Sequence, residues 1–318
     1  LTYPKSGGPF PAAILITGSG QQDRDETIFG HKPFAVIADY LTKRGYAVLR
    51  VDDRGIGKST GDISKATSRD FAKDVERSLQ ELQKRKDIDP KRIGLIGHSE
   101  GGLIASMVAS ENKSVDFIIM LAGPGLKGSA LLEWQNQAAA RSQGASAEMA
   151  ESYKKLSTSV IQAALSSRDT SVQMQEAWKS FLSWKEVIDP GAVSAMGLNN
   201  ETNSKNFLRA QLEKLDNPWM IYFLQTDPAD YISKLHCKVL ALNGAKDIQV
   251  VPDQNLAGID SALKKSAVKI YATEKIPGLN HLLQHCKTRT IAEYAQPGES
   301  SAPEVLQIMG DWLDKNVK

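Results

Sequence analysis

The chain has very little cysteine. Two thiols in 318 residues, Cys237 and Cys286, could form at most a single disulfide, and they show no metal-ligand spacing. They read as free thiols, and no metal is expected. An excess of charge of one sign is also missing. Lys and Arg number 39 and Asp and Glu 37, a net charge of +2, so neither nucleic acid nor an acidic surface is expected as a partner. No apolar run approaches the ~20 residues that cross a bilayer, which excludes a helical membrane span. No signal peptide is visible. The chain begins at Leu1 and not at Met, so a trimmed N-terminus is expected and the compartment is left open. Oligomeric state has no signature here either.

What is present is a repeating alternation of short apolar runs and amphipathic helices. Residues Ala12–Thr17, Tyr46–Val51, Ile93–Gly97 and Phe117–Leu121 read as buried strands. Between them lie helical stripes over Pro33–Arg44 and Ser68–Lys86, and Asp89-Pro90 is expected to break the chain ahead of the third strand. The pattern resumes at Val239–Leu242 and ends with a strand at Val268–Tyr271 and a closing helix over Pro303–Asn316. This predicts an α/β fold with a doubly wound, mostly parallel sheet. Residues 1–124 and 236–318 form its two parts. Residues 125–235 are helical in spacing, with helices expected at Ala130–Arg141, Ala147–Ser166, Ser171–Ser183 and Ser204–Leu215, and read as an all-helical cap insertion. Four of the five tryptophans fall in that insertion. Any one of them fits a helical core more readily than a pocket. Trp219 and Tyr222, near the return to the main domain, are the expected substrate contacts.

The run Gly97-His98-Ser99-Glu100-Gly101 follows a strand and precedes a small-residue helix. Gly-x-Ser-x-Gly in that context predicts a strained turn that lifts the Ser99 hydroxyl above the sheet edge. The N–H of Glu100, at the start of the helix, is a candidate anion donor. A serine hydroxyl needs a base, and the base needs a group that orients it. Asp247 and His281 each follow a later strand, so both should reach the edge where Ser99 emerges. His98 should point away from the nucleophile, and His285 reads as structural. The Gly-rich loop Gly18-Ser19-Gly20-Gln21-Gln22 after the first strand suits a second oxyanion donor, assigned to Gln21. The cluster Asp23-Arg24-Asp25-Glu26 is either a solvated loop or an ion-pair brace for it. Gly55-Ile56-Gly57-Lys58-Ser59 lacks the spacing of a phosphate loop, and Arg54 beside it is expected to brace its turn.

These segments, together with Leu15–Glu26, Asp52–Ser59, Asn243–Asp247 and Gly278–His281, resemble the α/β-hydrolase superfamily, in the branch of bacterial carboxylesterases related to serine aminopeptidases and acyl-thioesterases. The resemblance covers the core and not the insertion. It implies a triad of Ser99, Asp247 and His281, a cap over the site and no cofactor; members usually have one or two more strands ahead of the first one seen here, and their near absence accords with the expected trimmed N-terminus. The expected activity is hydrolysis of short to medium acyl esters through an acyl-enzyme. An aminopeptidase or acyl-thioesterase on the same triad, or a binding protein on a hydrolase scaffold, are the alternatives.

Overall fold

The computed structural model describes residues 1–318, the side chain of Ala195 apart. In chain order the elements are β1 (Phe10–Ile16), α1 (Pro33–Lys43), β2 (Ala47–Arg50), α2 (Ser68–Gln83), β3 (Ile88–His98), α3 (Glu100–Glu111) and β4 (Phe117–Leu121). Helices α4 (Gly128–Ser142), α5 (Ala147–Ser166), α6 (Thr170–Val187), α7 (Pro190–Ala195), α8 (Glu201–Leu215), α9 (Pro218–Gln225) and α10 (Ala229–Ile232) follow. The chain closes with β5 (Lys238–Gly244), α11 (Pro252–Leu263), β6 (Tyr271–Ile276) and α12 (Pro303–Asn316).

The sheet has six strands in the order β2-β1-β3-β4-β5-β6, and every pairing is parallel. Strand order reverses between β1 and β3. The loop after β1 and the turn after β3 therefore diverge at the switch point, where open α/β sheets leave a crevice for a ligand. Alternate strand residues such as Ala13, Leu15, Ile96, Ile119, Leu121 and Leu240 share one apolar core with α1 and α12. On α1 the contributors are Phe34, Ile37, Ala38 and Leu41; on α12 they are Val305, Met309 and Leu313, in each case the 3.6-residue stripe of the helix.

Two compact units result: residues 1–127 with 227–318, and residues 128–226. The second is helical and holds α4 to α9. Side chains of Ser146, Asp169, Asp189, Asn200 and Asn217 accept N–H groups in the first turns of α5, α6, α7, α8 and α9. Each such cap is worth about 1 kcal/mol, which is how a Ser/Asn/Asp-rich sequence specifies so many short helices. Its core is built by Leu156, Val160, Phe181, Trp184, Leu208 and Leu224. Helix α10 packs on α3 and α11 in the first unit. The helical unit is thus shorter than the 125–235 insertion that composition suggested.

Two local expectations need correction. The last strand lies at Tyr271–Ile276 and not at Val268–Tyr271. It is the sheet edge, and Glu274 and Lys275 face water, so it carries no continuous apolar run. Asp89-Pro90 does not end a strand. It sits inside β3, where pairing with β1 jumps from Phe10↔Ile88 to Ala12↔Ile93.

Candidate active site

Strand β3 ends at His98 and α3 begins at Glu100, with Ser99 alone between them at φ 52° and ψ −122°. That left-handed backbone is costly for a residue with a side chain. It is held by the Ser99 N–H donating to Leu121 O at 2.8 Å and the Gly102 N–H donating to Ser99 O at 2.9 Å. The flanking glycines are required by contact. A Cβ on Gly97 would lie 2.0 Å from Gly101 O, and one on Gly101 would lie 2.2 Å from Ile16 O. Ser99 is half-buried, and α3 beneath it is buried almost throughout. The Glu100 carboxylate accepts the Ser68 hydroxyl at 2.6 Å, and the Glu100 N–H belongs to the first position of α3.

Asp247 lies in the turn after β5. Its Oδ1 accepts the N–H groups of Gln249 at 2.7 Å and Val250 at 2.9 Å, and its Oδ2 lies 2.8 Å from His281 Nδ1. Both residues are 4% exposed. With Nδ1–H donated to the carboxylate, the lone pair of His281 is on Nε2. Close approach at Gly244, where a Cβ would fall 2.4 Å from Leu279 O, brings the two loops together. Asn280 fixes the His281 turn, its Oδ1 accepting the Gln284 N–H at 3.0 Å. His285 is outside this arrangement. Its ring pairs with Glu299 at 2.7 Å and Glu304 at 2.9 Å and is more than half exposed.

The loop after β1 is braced at several points. Asp53 accepts the Thr17 hydroxyl at 2.8 Å and the Gln22 N–H at 2.9 Å, closing the loop at its two ends. Glu26 accepts the Gly18 N–H at 2.8 Å. Arg24 binds Asp52 through its N–H at 2.8 Å and its guanidinium at 2.6 Å, and Asp25 pairs with Arg50. The charged cluster is therefore a brace and not a solvated loop. The guanidinium hydrogen bond is the main reason the Asp52 carboxyl falls to about 2. Burial, with the carboxylates of Glu26 and Glu100 nearby, raises Asp53 to about 6. Among the described residues, the N–H groups of Ser19, Gly20 and Gln21 meet no protein acceptor. Gly18 lies close against the nucleophile turn: a Cβ built there would lie 3.3 Å from Ser99 Cβ. A cavity of about 410 Å³ is walled by Thr17, Gly18, Gly20, Asp53, Phe71 and Ile104. Arg54 ion-pairs with Asp74 at 2.7 Å and so braces its own turn.

The structure thus brings Asp247 and His281 into direct contact and places Ser99 and the Gly18–Gln22 loop on adjacent strands at the same sheet edge. Trp219 and Tyr222 are on α9 in the helical unit, half-buried, with Trp219 stacked on Phe223 at 5.8 Å. Trp184 is buried in that unit's core and Trp178 packs against it. The two cysteines are free and buried, and burial pushes the Cys237 thiol up to about 12. No group of His, Cys, Asp and Glu among the described residues could hold a metal ion. Sequence reasoning missed His98. Its ring does not lie idle behind the elbow but spans from Glu26 to the carbonyl of His281. The only available signal was the acidic cluster so close behind the Gly-rich loop.

Comparison with known proteins identifies the family. A family model described as serine aminopeptidase, S33 matches residues 32–219, a span that includes Ser99. Esterase EstD of Thermotoga maritima is 35% identical over 124 residues, covering 39% of this chain and 29% of that protein. The putative hydrolase YtaP of Bacillus subtilis is 35% identical over 125 residues, covering 33% of this chain and 41% of that protein. The match therefore spans well under half the length of these curated relatives. An esterase of Pyrococcus furiosus superposes with a TM-score of 0.55 at 15% identity, over 98% of this chain and 84% of that one. Est1E of Butyrivibrio proteoclasticus, solved with ferulic acid bound, gives 0.54 at 15% identity, over 99% and 93%. These two share the fold. With a parallel sheet, a Gly-x-Ser-x-Gly turn at its switch point and a family match over more than half its length, the chain belongs to the serine aminopeptidase S33 family of the α/β-hydrolase superfamily.

Proposed function

We propose that the protein is a serine hydrolase that cleaves carboxylic esters of short to medium acyl chains through an acyl-enzyme on Ser99. The observation that carries the reading is the buried His281 Nδ1–Asp247 Oδ2 contact of 2.8 Å, on the edge where Ser99 stands in a strained turn. His281 Nε2 takes the Ser99 proton as Oγ attacks the acyl carbonyl. The tetrahedral oxyanion is received by the N–H of Glu100 and by that of Gln21 in the loop after β1. His281 then gives its proton to the leaving alkoxide. Water repeats the sequence and releases the acid. Each oxyanion donor in such a site is worth about 3 kcal/mol. The helical unit is proposed to select the acyl chain, with Trp219 and Tyr222 as its contacts.

The family description favours a second reading, an aminopeptidase on the same residues. The two separate on a substrate panel. p-Nitrophenyl acetate and butyrate, aminoacyl p-nitroanilides and acyl-CoA thioesters are compared by kcat/KM. The esters are expected to turn over fastest. Faster cleavage of an aminoacyl anilide with a free amine would replace the esterase reading by the peptidase one.

A further inference from the structure

We propose that Glu26 and His98 form a buried positioning pair that ties the loop after β1 to the loop carrying His281, holding the oxyanion donors and the base at a fixed separation across Ser99. The inference rests on the roles proposed above for Ser99 and His281. One carboxylate oxygen, Glu26 Oε1, accepts both the Gly18 N–H at 2.8 Å and His98 Nδ1–H at 2.9 Å. The other ring nitrogen, His98 Nε2, lies 3.0 Å from His281 O. Gly18 and His281 stand on opposite sides of the elbow, and the chain neighbour of Ser99 joins them. Glu26 is 2% and His98 8% exposed, so water does not compete for these bonds. Glu26 also holds a backbone φ of 51°, the sparsely populated left-handed region, which directs its side chain inward from an otherwise exposed loop.

With Glu26 ionised, the geometry also fixes the charge of His98. Both partners of the His98 ring, a carboxylate and a carbonyl, can only accept. A neutral imidazole has one N–H and can satisfy one of them; an imidazolium has two and satisfies both. His98 is therefore the donor to both sides in its protonated form. Burial alone would lower its pKa. Burial is the largest single effect, but the charge and hydrogen bond of Glu26, His281 O and the Asp247 carboxylate together outweigh it, and the ring stands at about 9. The groups facing it are Glu26 from the loop after β1, Asp247 from the turn after β5 and the His281 ring, whose centroid is 5.0 Å away. Because the folded value exceeds the ordinary 6.5, the tie is complete below that pH and is lost only as pH rises through about 9.

Glu26→Gln tests this. The amide oxygen can still accept from Gly18 and His98, so shape is kept while the negative charge is removed. Burial then wins and His98 gives up its proton at lower pH, losing one of its two bonds. The ratio of variant to wild-type kcat on p-nitrophenyl butyrate is expected to be highest at the most acidic pH at which turnover can be read. At pH 8.5 the variant should lie at least about tenfold below the wild type, the scale of a small displacement of catalytic groups, with KM changed less than about twofold. A ratio that stays near one up to pH 8.5 overturns the proposal. Nitrogen-15 NMR of the histidine-labelled wild type gives an independent readout, with His98→Asn used for assignment. Two protonated ring nitrogens on His98 at pH 7.5 are expected; a neutral tautomer overturns the pair. The NMR needs no turnover. If the wild type hydrolyses no ester, the functional reading fails and the NMR still decides the pair. If the wild type turns over and the ratio stays near one up to pH 8.5, the pair fails and the roles of Ser99 and His281 stand.

Discussion

Ser99→Ala should reduce ester turnover on the order of 10⁵-fold or more, with the fold intact. The loss is large because the oxygen removed is the one proposed to form the acyl-enzyme, and the buried hydroxyls and thiol nearby do not replace it. Ser68 and Ser106 are fully buried and hydrogen-bonded, and the Cys237 thiol is held at about 12 by burial. The fold should not respond. Among the described residues Ser99 Oγ makes no hydrogen bond, and the contacts that hold the turn are backbone ones, from Ser99 N–H to Leu121 O and from Gly102 N–H to Ser99 O. Alanine meets the same φ of 52° with the same Cβ, so strain is unchanged. Steady-state kinetics on p-nitrophenyl butyrate and a thermal melt, run side by side, check both halves. A variant that keeps turnover removes Ser99 from the mechanism.

Asp247→Asn should lower kcat about 10⁴-fold while leaving KM and the melt nearly unchanged. The reason is specific to the hydrogen bonds around this side chain. Oδ1 accepts the N–H groups of Gln249 and Val250. In the variant the amide oxygen must stay there, since turning the NH₂ group toward two N–H donors would leave all of them buried and unsatisfied. The NH₂ is then aimed at His281 Nδ1. It can only donate, so Nδ1 must offer its lone pair and the ring proton moves to Nε2. That is the tautomer unable to take a proton from Ser99. Activity at normal levels in this variant would mean that the 2.8 Å contact between Asp247 and His281 is structural only.

The positions of the candidate site residues are legible in the sequence because they depend on local rules. A Gly-x-Ser-x-Gly turn is a steric requirement, and the clashes that a Cβ at Gly97 or Gly101 would meet are those the motif avoids. Asp247 and His281 were found because each follows a strand, and parallel strands end on one edge. The last strand was misplaced by several residues because an edge strand with Glu274 and Lys275 carries no buried run. The bulge at Asp89-Pro90 was read as a break, since a proline inside a long strand contradicts propensity and is tolerated only by irregular pairing. The Glu26–His98 pair and the Asp53 clamp were not legible at all. They join residues 72 and 36 positions apart through side chains whose directions depend on packing: Glu26 to His98, and Thr17 to Asp53. A charged cluster on a loop looks alike in sequence whether it is solvated or folded inward. The substrate was not legible either, because the helical unit is specified by caps and generic amphipathic spacing and carries no residue pattern that names a ligand.

The central claim is that Ser99 is the nucleophile. The most direct test is the mass of the protein after reaction with a fluorophosphonate, followed by peptide mapping. The account predicts one adduct per chain, on the peptide that contains Ser99, and no adduct on Ser99→Ala. An unmodified wild-type chain, or an adduct on any other residue, would contradict it.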